Sequence, residues 1–207
     1  MQQQQLISHV VSAFQQATMH TNPFEHIVIE NFLPQEIFDQ LADVIKNTHT
    51  GAKDDRFLLA HQLQYDTRKS KDHPEFWKEW YNVFESDAVI DTLKNIFGID
   101  DIEFAHFHIH KSQPGYTLNT HTDNKPTFKD MVSFQLYVTE NDPDNGVSLW
   151  NDDRNNGGTI ENYIENKPNT AWMFKCNNST WHSVEKCTTD RHSILIRYCC
   201  NTELFKI

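Results

Sequence analysis

Hydrophobic positions recur with helical spacing in the first half of this chain and with strand spacing in the second. The glutamine tract at 1–5 reads as a frayed start. Leu6, Ile7, Val10, Val11 and Phe14 then mark one face of a short amphipathic helix. PFEHIVIENFL at 23–33 reads as a strand centred on HIVIE. Pro34 suits the first turn of a following helix whose apolar stripe is Ile37, Leu41 and Ile45. From 47 to 72 the chain is polar and irregular apart from FLLA at 57–60, which fits either a mobile flap or an ordinary long loop. HPEFWKEWYNVFES (73–86) predicts an aromatic-rich helix packed into a core. SDAVIDTLKNIFG (86–98) predicts another, with Ser86 as its N-cap and Gly98 at its stop.

Beyond residue 100 the period changes to two. IEFAHFHIHK (102–111) places Phe104, His106, His108 and His110 on one strand face and Phe107 and Ile109 on the other. The three histidines are read as solvent-facing, with a second metal site as the sharper alternative. MVSFQLYVT (131–139), GVSLW (146–150), NTAWMFK (169–175) and HSILIRYCC (192–200) are further strands, separated by turn signals such as NDPDNG and RNNGG. NDPDNG lacks the spacing of a calcium-binding loop and is read as a turn. Helices first and strands later predict an α+β protein, its sheet core closed or sandwiched and its helices on one side. No repeat or boundary divides the chain. It reads as one domain over 1–207, with 1–22 as a helical N-terminal extension.

Composition narrows the classes. A chain of 207 residues with 38% hydrophobic and 23% charged residues can bury one sizeable core. Its net charge of −11, with RKSK (68–71) the largest basic cluster, argues against a nucleic-acid partner. No apolar run reaches the roughly 18–20 residues of a membrane span, and the start lacks the pattern of a signal peptide. Cys176, Cys187, Cys199 and Cys200 have no CxxC spacing and read as reduced thiols. A cytoplasmic protein is the expectation; its oligomeric state is not readable.

The chemistry concentrates in NTHTDN at 119–124. In an extended segment His121 and Asp123 point to one side, and an imidazole beside a carboxylate suits a divalent metal. HxD alone is a weak signal, since a surface loop produces it by chance. His182, in STWHSVEK, is the best third ligand. Two histidines and one carboxylate on one side of a metal leave positions open, the arrangement suited to non-haem Fe(II) oxygenases. One strand further on, Arg191 opens RHSILIRY, where a guanidinium could hold a dicarboxylate by its far end. Tyr137, in SFQLYVT, could add a hydroxyl to the same carboxylate.

With these residues the chain resembles the prolyl 4-hydroxylase-like branch of the Fe(II)/2-oxoglutarate-dependent dioxygenases. PFEHIVIENFLPQEIFDQL looks like that family's opening strand and helix, and QPGYTLNTHTD like its approach to HxD. SFQLYVT looks like its tyrosine strand, and AWMFKCNNSTWHSV with DRHSILIRY like its closing strands. NGVSLW has Val147 where a second glycine is common. The resemblance implies a double-stranded β-helix, a jelly-roll-like, cupin-like core with N-terminal helices packed on one sheet. It implies His121, Asp123 and His182 as catalytic iron ligands, Arg191 on the distal carboxylate of 2-oxoglutarate, and Tyr137 in support. Fe(II), 2-oxoglutarate and O2 would be required, with ascorbate as an accessory reductant. An aliphatic carbon of a peptide or small molecule, such as a prolyl residue or an amino acid, would be hydroxylated as 2-oxoglutarate becomes succinate. Asp123 favours hydroxylation over the halogenation that a small residue there would permit. The family often has a tyrosine on the strand before HxD. Here Ser112 stands near that place, and His110 and Tyr116 are the candidate substitutes.

Some residues stay open at this stage. Arg197 shares a strand face with Arg191. It reaches either a substrate carboxylate inside the barrel or an acidic partner at the strand end. The same pair resembles the AlkB-like demethylases, but RHSILIR does not meet their RxNxTxR pattern. Gln135 shares a face with Tyr137 and could touch cosubstrate or substrate, while Trp150 and Trp181 read as packing. Segments 47–72 and 151–168 read as the loops that choose the substrate. A cupin-like metal-binding module without oxygenase activity remains the alternative, and a structural jelly roll with an accidental triad is a third reading.

Overall fold

The computed structural model describes residues 3–47, 62–66, 73–124, 131–139 and 142–200. Helix α1 (Gln3–Gln16) buries Ile7, Val10 and Phe14, the stripe its spacing predicts; the glutamine tract is helical from Gln3 rather than frayed. Strands β1 (Met19–His20) and β2 (His26–Ile29) lead to α2 (Gln35–Asn47), where the Pro34 carbonyl accepts the first amide bonds, from Ile37 and Phe38. Helices α3 (Pro74–Phe84) and α4 (Asp87–Phe97) follow. Gly98 closes α4 in the left-handed region at φ 60°. Ser86 stands at the N-cap of α4, but its hydroxyl donates backwards to the Val83 carbonyl of α3.

The apolar FLLA stretch and the RKSK cluster lie outside the described residues. Of the segment 47–72, Gln62–Asp66 forms strand β3 on the edge of a sheet. The rest of the chain supplies β4 (Glu103–Ser112), β5 (Leu118–His121), β6 (Met131–Tyr137), β7 (Asp142–Trp150), β8 (Ile160–Asn166), β9 (Ala171–Cys176), β10 (His182–Val184) and β11 (Arg191–Cys199). A seven-stranded sheet in the order β1-β2-β9-β6-β11-β4-β3 faces a four-stranded sheet in the order β5-β10-β7-β8, and their pairings are antiparallel. This is the double-stranded β-helix expected. The segment 151–168, expected as a loop, contains β8. Asp142–Gly146 of NDPDNG, expected as a turn, opens β7 and is tied down where Asn145 and Thr189 bond to Asp142.

Strand alternation divides the interior into two layers. The outer face of the large sheet presents Phe107, Ile109, Phe134, Ile194 and Ile196 to the four helices. Phe14 of α1 stacks on Phe32 at 5.6 Å and meets Phe134 at 6.0 Å, so the N-terminal helix is part of this core. The inner layer, between the sheets, holds Tyr137, Leu149, Trp172, Phe174 and Val184.

One irregularity redirects the histidine strand. In the pairing of β4 with β11, Arg197 faces His106 but Tyr198 faces Phe104, so Ala105 is skipped. Such a bulge reverses the face of what precedes it. Phe104 therefore joins the helix-side core, against Tyr81 and Tyr198. His106, His108 and His110 occupy the inner face instead. The solvent-facing reading of these histidines is overturned: His106 and His110 are buried and His108 is half-buried.

Candidate active site

His121 ends β5 and His182 begins β10, and the two are direct cross-strand partners. Their ring centroids lie 4.3 Å apart. Asp123 follows β5 by two residues, and the turn of the chain there brings its carboxylate between the rings. His121 Nε2 is 3.8 Å from one carboxylate oxygen and His182 Nε2 is 3.7 Å from the other. One ligand atom from each residue lies within 4.8 Å of the other two, a spacing that could hold one metal ion. The structure brings these three residues together.

The tautomers are set by the backbone. His121 Nδ1 lies 2.8 Å from the Asn119 carbonyl and His182 Nδ1 lies 3.0 Å from the Thr180 carbonyl. A carbonyl can only accept, so each Nδ1 carries the proton and each Nε2 keeps its lone pair toward the shared space. Burial lowers the His182 pKa to about 4, so its ring is neutral at physiological pH. Burial alone would raise the Asp123 carboxyl. The Arg197 guanidinium, helped by His182 and His121, overcomes it and holds the group below the ordinary carboxylate range. Arg197 Nη1 donates to Asp123 Oδ2 at 2.5 Å and lies 4.0 Å from Cys176 Sγ. Arg197 thus points into the barrel and has an acidic partner there, Asp123.

A second polar group lies deeper. Arg191 is 2% exposed, and its Nη1 donates to the carbonyls of Asn145 (3.2 Å) and Gly146 (3.4 Å). Gly146 is required at this spot, because a Cβ there would lie 2.1 Å from the Ile164 carbonyl of the neighbouring strand. Val147, where a second glycine was anticipated, is a buried core residue. Arg191 Nε and the Tyr137 hydroxyl are both buried without a hydrogen-bond partner among the described residues. The nearby Trp172 indole donates to Gln135 Oε1 at 3.0 Å, and Gln135 donates to Ser193 at 2.8 Å, so Gln135 is occupied within the protein. Burial raises the Tyr137 pKa, which keeps its proton available for donation. His110 Nε2 is a third buried atom with no partner among the described residues. Burial and the nearby His108, Arg197 and Arg191 lower the His110 pKa to about 3.

Two donors, Arg191 Nε and the Tyr137 hydroxyl, left without acceptors among the described residues are what a bound carboxylate would satisfy, since native proteins rarely leave such groups orphaned. Tyr116 is buried below Arg191, its ring centroid 6.0 Å from the guanidinium carbon, and Ser112 is buried on β4. Trp150 is a packing residue, donating to Ser183 at 2.9 Å with Arg154 over its ring at 4.6 Å. All four cysteines are free thiols.

Residues 105–201 match the family model described as the 2OG-Fe(II) oxygenase superfamily. That segment of the chain is similar to this superfamily of oxygenases. Its fold is shared with solved structures at low identity. A prolyl hydroxylase from Trichoplax adhaerens, in complex with a hypoxia inducible factor oxygen degradation domain peptide fragment, is 14% identical with a TM-score of 0.64. That match covers 99% of this chain and 94% of the other. A Pseudomonas putida prolyl-4-hydroxylase is 17% identical with a TM-score of 0.58, covering 94% and 95%. HygX from Streptomyces hygroscopicus, with nickel and 2-oxoglutarate bound, is 10% identical with a TM-score of 0.60, covering 84% and 82%. No curated protein matches the sequence. Among the described residues, no helix is long and apolar enough to cross a membrane.

Proposed function

We propose that the chain is an Fe(II)- and 2-oxoglutarate-dependent dioxygenase that hydroxylates an aliphatic carbon. The observation that carries this is the pairing of two features in one barrel: a two-histidine, one-carboxylate cluster, and, buried beside it, the Arg191 Nε and the Tyr137 hydroxyl, which have no acceptor among the described residues. His121, Asp123 and His182 would hold the iron. Neutral His182, its Nδ1 committed to a carbonyl, and the low-pKa Asp123 carboxylate are ready for a divalent ion without first losing protons. Arg191 and Tyr137 would hold the distal carboxylate of 2-oxoglutarate. Bound iron, 2-oxoglutarate and dioxygen supply the oxidation, with 2-oxoglutarate leaving as succinate and carbon dioxide and ascorbate as an accessory reductant.

The protein's part is orientation and exclusion of water. Arg191, Tyr137, Trp172 and Phe174 are nearly sealed from solvent, whereas His121, Asp123 and Arg197 are partly open. The cosubstrate would therefore lie at the closed end and the substrate at the open end. On this reading the substrate is a prolyl residue of a peptide or a free amino acid, and no nucleic acid or membrane lipid is expected as a partner.

The test is an anaerobic titration of metal-free protein with Fe(II) and then 2-oxoglutarate. We expect the visible charge-transfer band of an iron-chelated keto acid. It should vanish with His121→Ala and require far more 2-oxoglutarate with Arg191→Ala. A folded, iron-loaded wild type with no band would sink the oxygenase reading in favour of a metal-binding module.

A further inference from the structure

The geometry points to an anionic substrate, a carboxylate by class, held by Arg197 at the open end of the barrel. This inference rests on the dioxygenase reading above and narrows its substrate.

Arg197 stands on the inner face of β11, where alternation also places Arg191, Ser193 and Leu195. Its recorded contacts all run through Nη1, to Asp123 and Cys176. Nε and Nη2 make no hydrogen bond among the described residues, although the side chain is only 14% exposed. A guanidinium presents its donors as a planar fork, and the edge left over here matches a carboxylate.

Charge points the same way. With Fe(II) on Asp123, the ion retains one formal positive charge, and Arg191 and Arg197 each add another. The two carboxylates of 2-oxoglutarate offset two of these, leaving one positive charge uncompensated in a mostly enclosed site. Such a charge is costly unless a ligand supplies its counterpart. Among the described side chains, Asp123 is the one carboxylate in contact with Arg197. His106 is the cross-strand partner of Arg197, and its ring stacks on that of His108 at 4.3 Å. The carboxylate that meets Arg197 is Asp123, which the metal would share.

The solvent path leads here as well. Leu195, His108 and Arg197 are inner-face residues that remain partly accessible, while Arg191, at the other end of the same strand, is sealed. A substrate entering from the open side meets Arg197 beside the metal site. An internal prolyl residue brings no carboxylate to Arg197; a carboxylic acid, or the carboxylate end of a free amino acid, does.

The experiment uses full-length protein loaded with Ni(II) and saturated with 2-oxoglutarate under anaerobic conditions, followed by calorimetry and thermal melting. The probes are the protein amino acids as free acids, the same compounds as carboxamides, and the blocked tripeptide N-acetyl-glycyl-prolyl-glycinamide. At least one acid should bind wild type about tenfold or more tightly than its carboxamide, the order expected for one charged hydrogen-bonded contact. In Arg197→Gln that preference should fall below about threefold, and Arg197→Lys should keep part of it. Acid and amide are compared on the same protein, so any effect of the variant on metal occupancy cancels in the ratio. Where the glutamine variant does not fold, the wild-type comparison decides alone. The inference is overturned if no acid is preferred, if the blocked tripeptide binds best, or if the preference survives Arg197→Gln. A wild type that fails to bind 2-oxoglutarate in the loading step instead refutes the dioxygenase reading.

Discussion

Replacing Tyr137 by phenylalanine should move stability and cosubstrate affinity in opposite directions. The Tyr137 hydroxyl is wholly buried and has no acceptor among the described residues, and the neighbouring Trp172 indole donates to Gln135. A buried polar group left unsatisfied costs about 1–3 kcal/mol. Removing the oxygen relieves that cost and forfeits a little packing, so the ligand-free protein should gain on the order of 1 kcal/mol. For a chain of this size that is a rise in Tm of roughly 2–4 °C. The same oxygen, bonded to a carboxylate of bound 2-oxoglutarate, would contribute about 1.5–3 kcal/mol, so its loss should weaken binding by roughly 10- to 150-fold. Calorimetric melting in EDTA gives the first quantity. Titration of 2-oxoglutarate into the anaerobic Ni(II)-loaded protein gives the second. A purely structural tyrosine would lose stability and leave affinity untouched, and that outcome would refute the reasoning.

Other predictions follow from buried groups. Without metal, stability should fall as pH drops from about 6.5 toward 4. The unfolded chain takes up protons at its histidines in this range, while burial keeps His182 (about 4) and His110 (about 3) neutral in the folded state. Urea midpoints in EDTA at several pH values measure the slope. His110→Asn should flatten it, and a protein that grows more stable on acidification through this window would contradict the argument. Asp123 acts in a lower window. Its stabilising charge, held by Arg197, should be lost only below about 3.8, so Asp123→Asn should leave the slope above pH 5 nearly unchanged. Asn169 ties the β2–α2 connection to β9 by accepting from the Leu33 amide (2.9 Å) and donating to its carbonyl (2.8 Å), at φ 57°. Asn169→Ala should cost about 2–4 kcal/mol in urea denaturation, and Asn169→Gly somewhat less, because only glycine accepts that backbone angle without strain. A cost under about 0.5 kcal/mol would show that this clamp is dispensable.

Much of this molecule is determined by local pattern. The apolar stripes of α1 and α2, the capping glycine at Gly98 and the period-two runs of β6, β9 and β11 are set by side-chain spacing, which works without knowledge of distant partners. So is the placement of Arg191 and Arg197 on one strand face, and of His121 beside Asp123. What the tertiary structure decided lies where two strands must agree. A single skipped residue at Ala105 turned Phe104 outward and left three histidines facing the barrel interior, a change that no count of alternation in β4 alone could reveal. The cross-strand register of His121 with His182, and the ion pair of Arg197 with Asp123, join residues far apart in sequence. Sequence spacing fixes the direction of a side chain along its own strand. The partner it meets depends on the pairing of the sheets, which is a property of the whole chain.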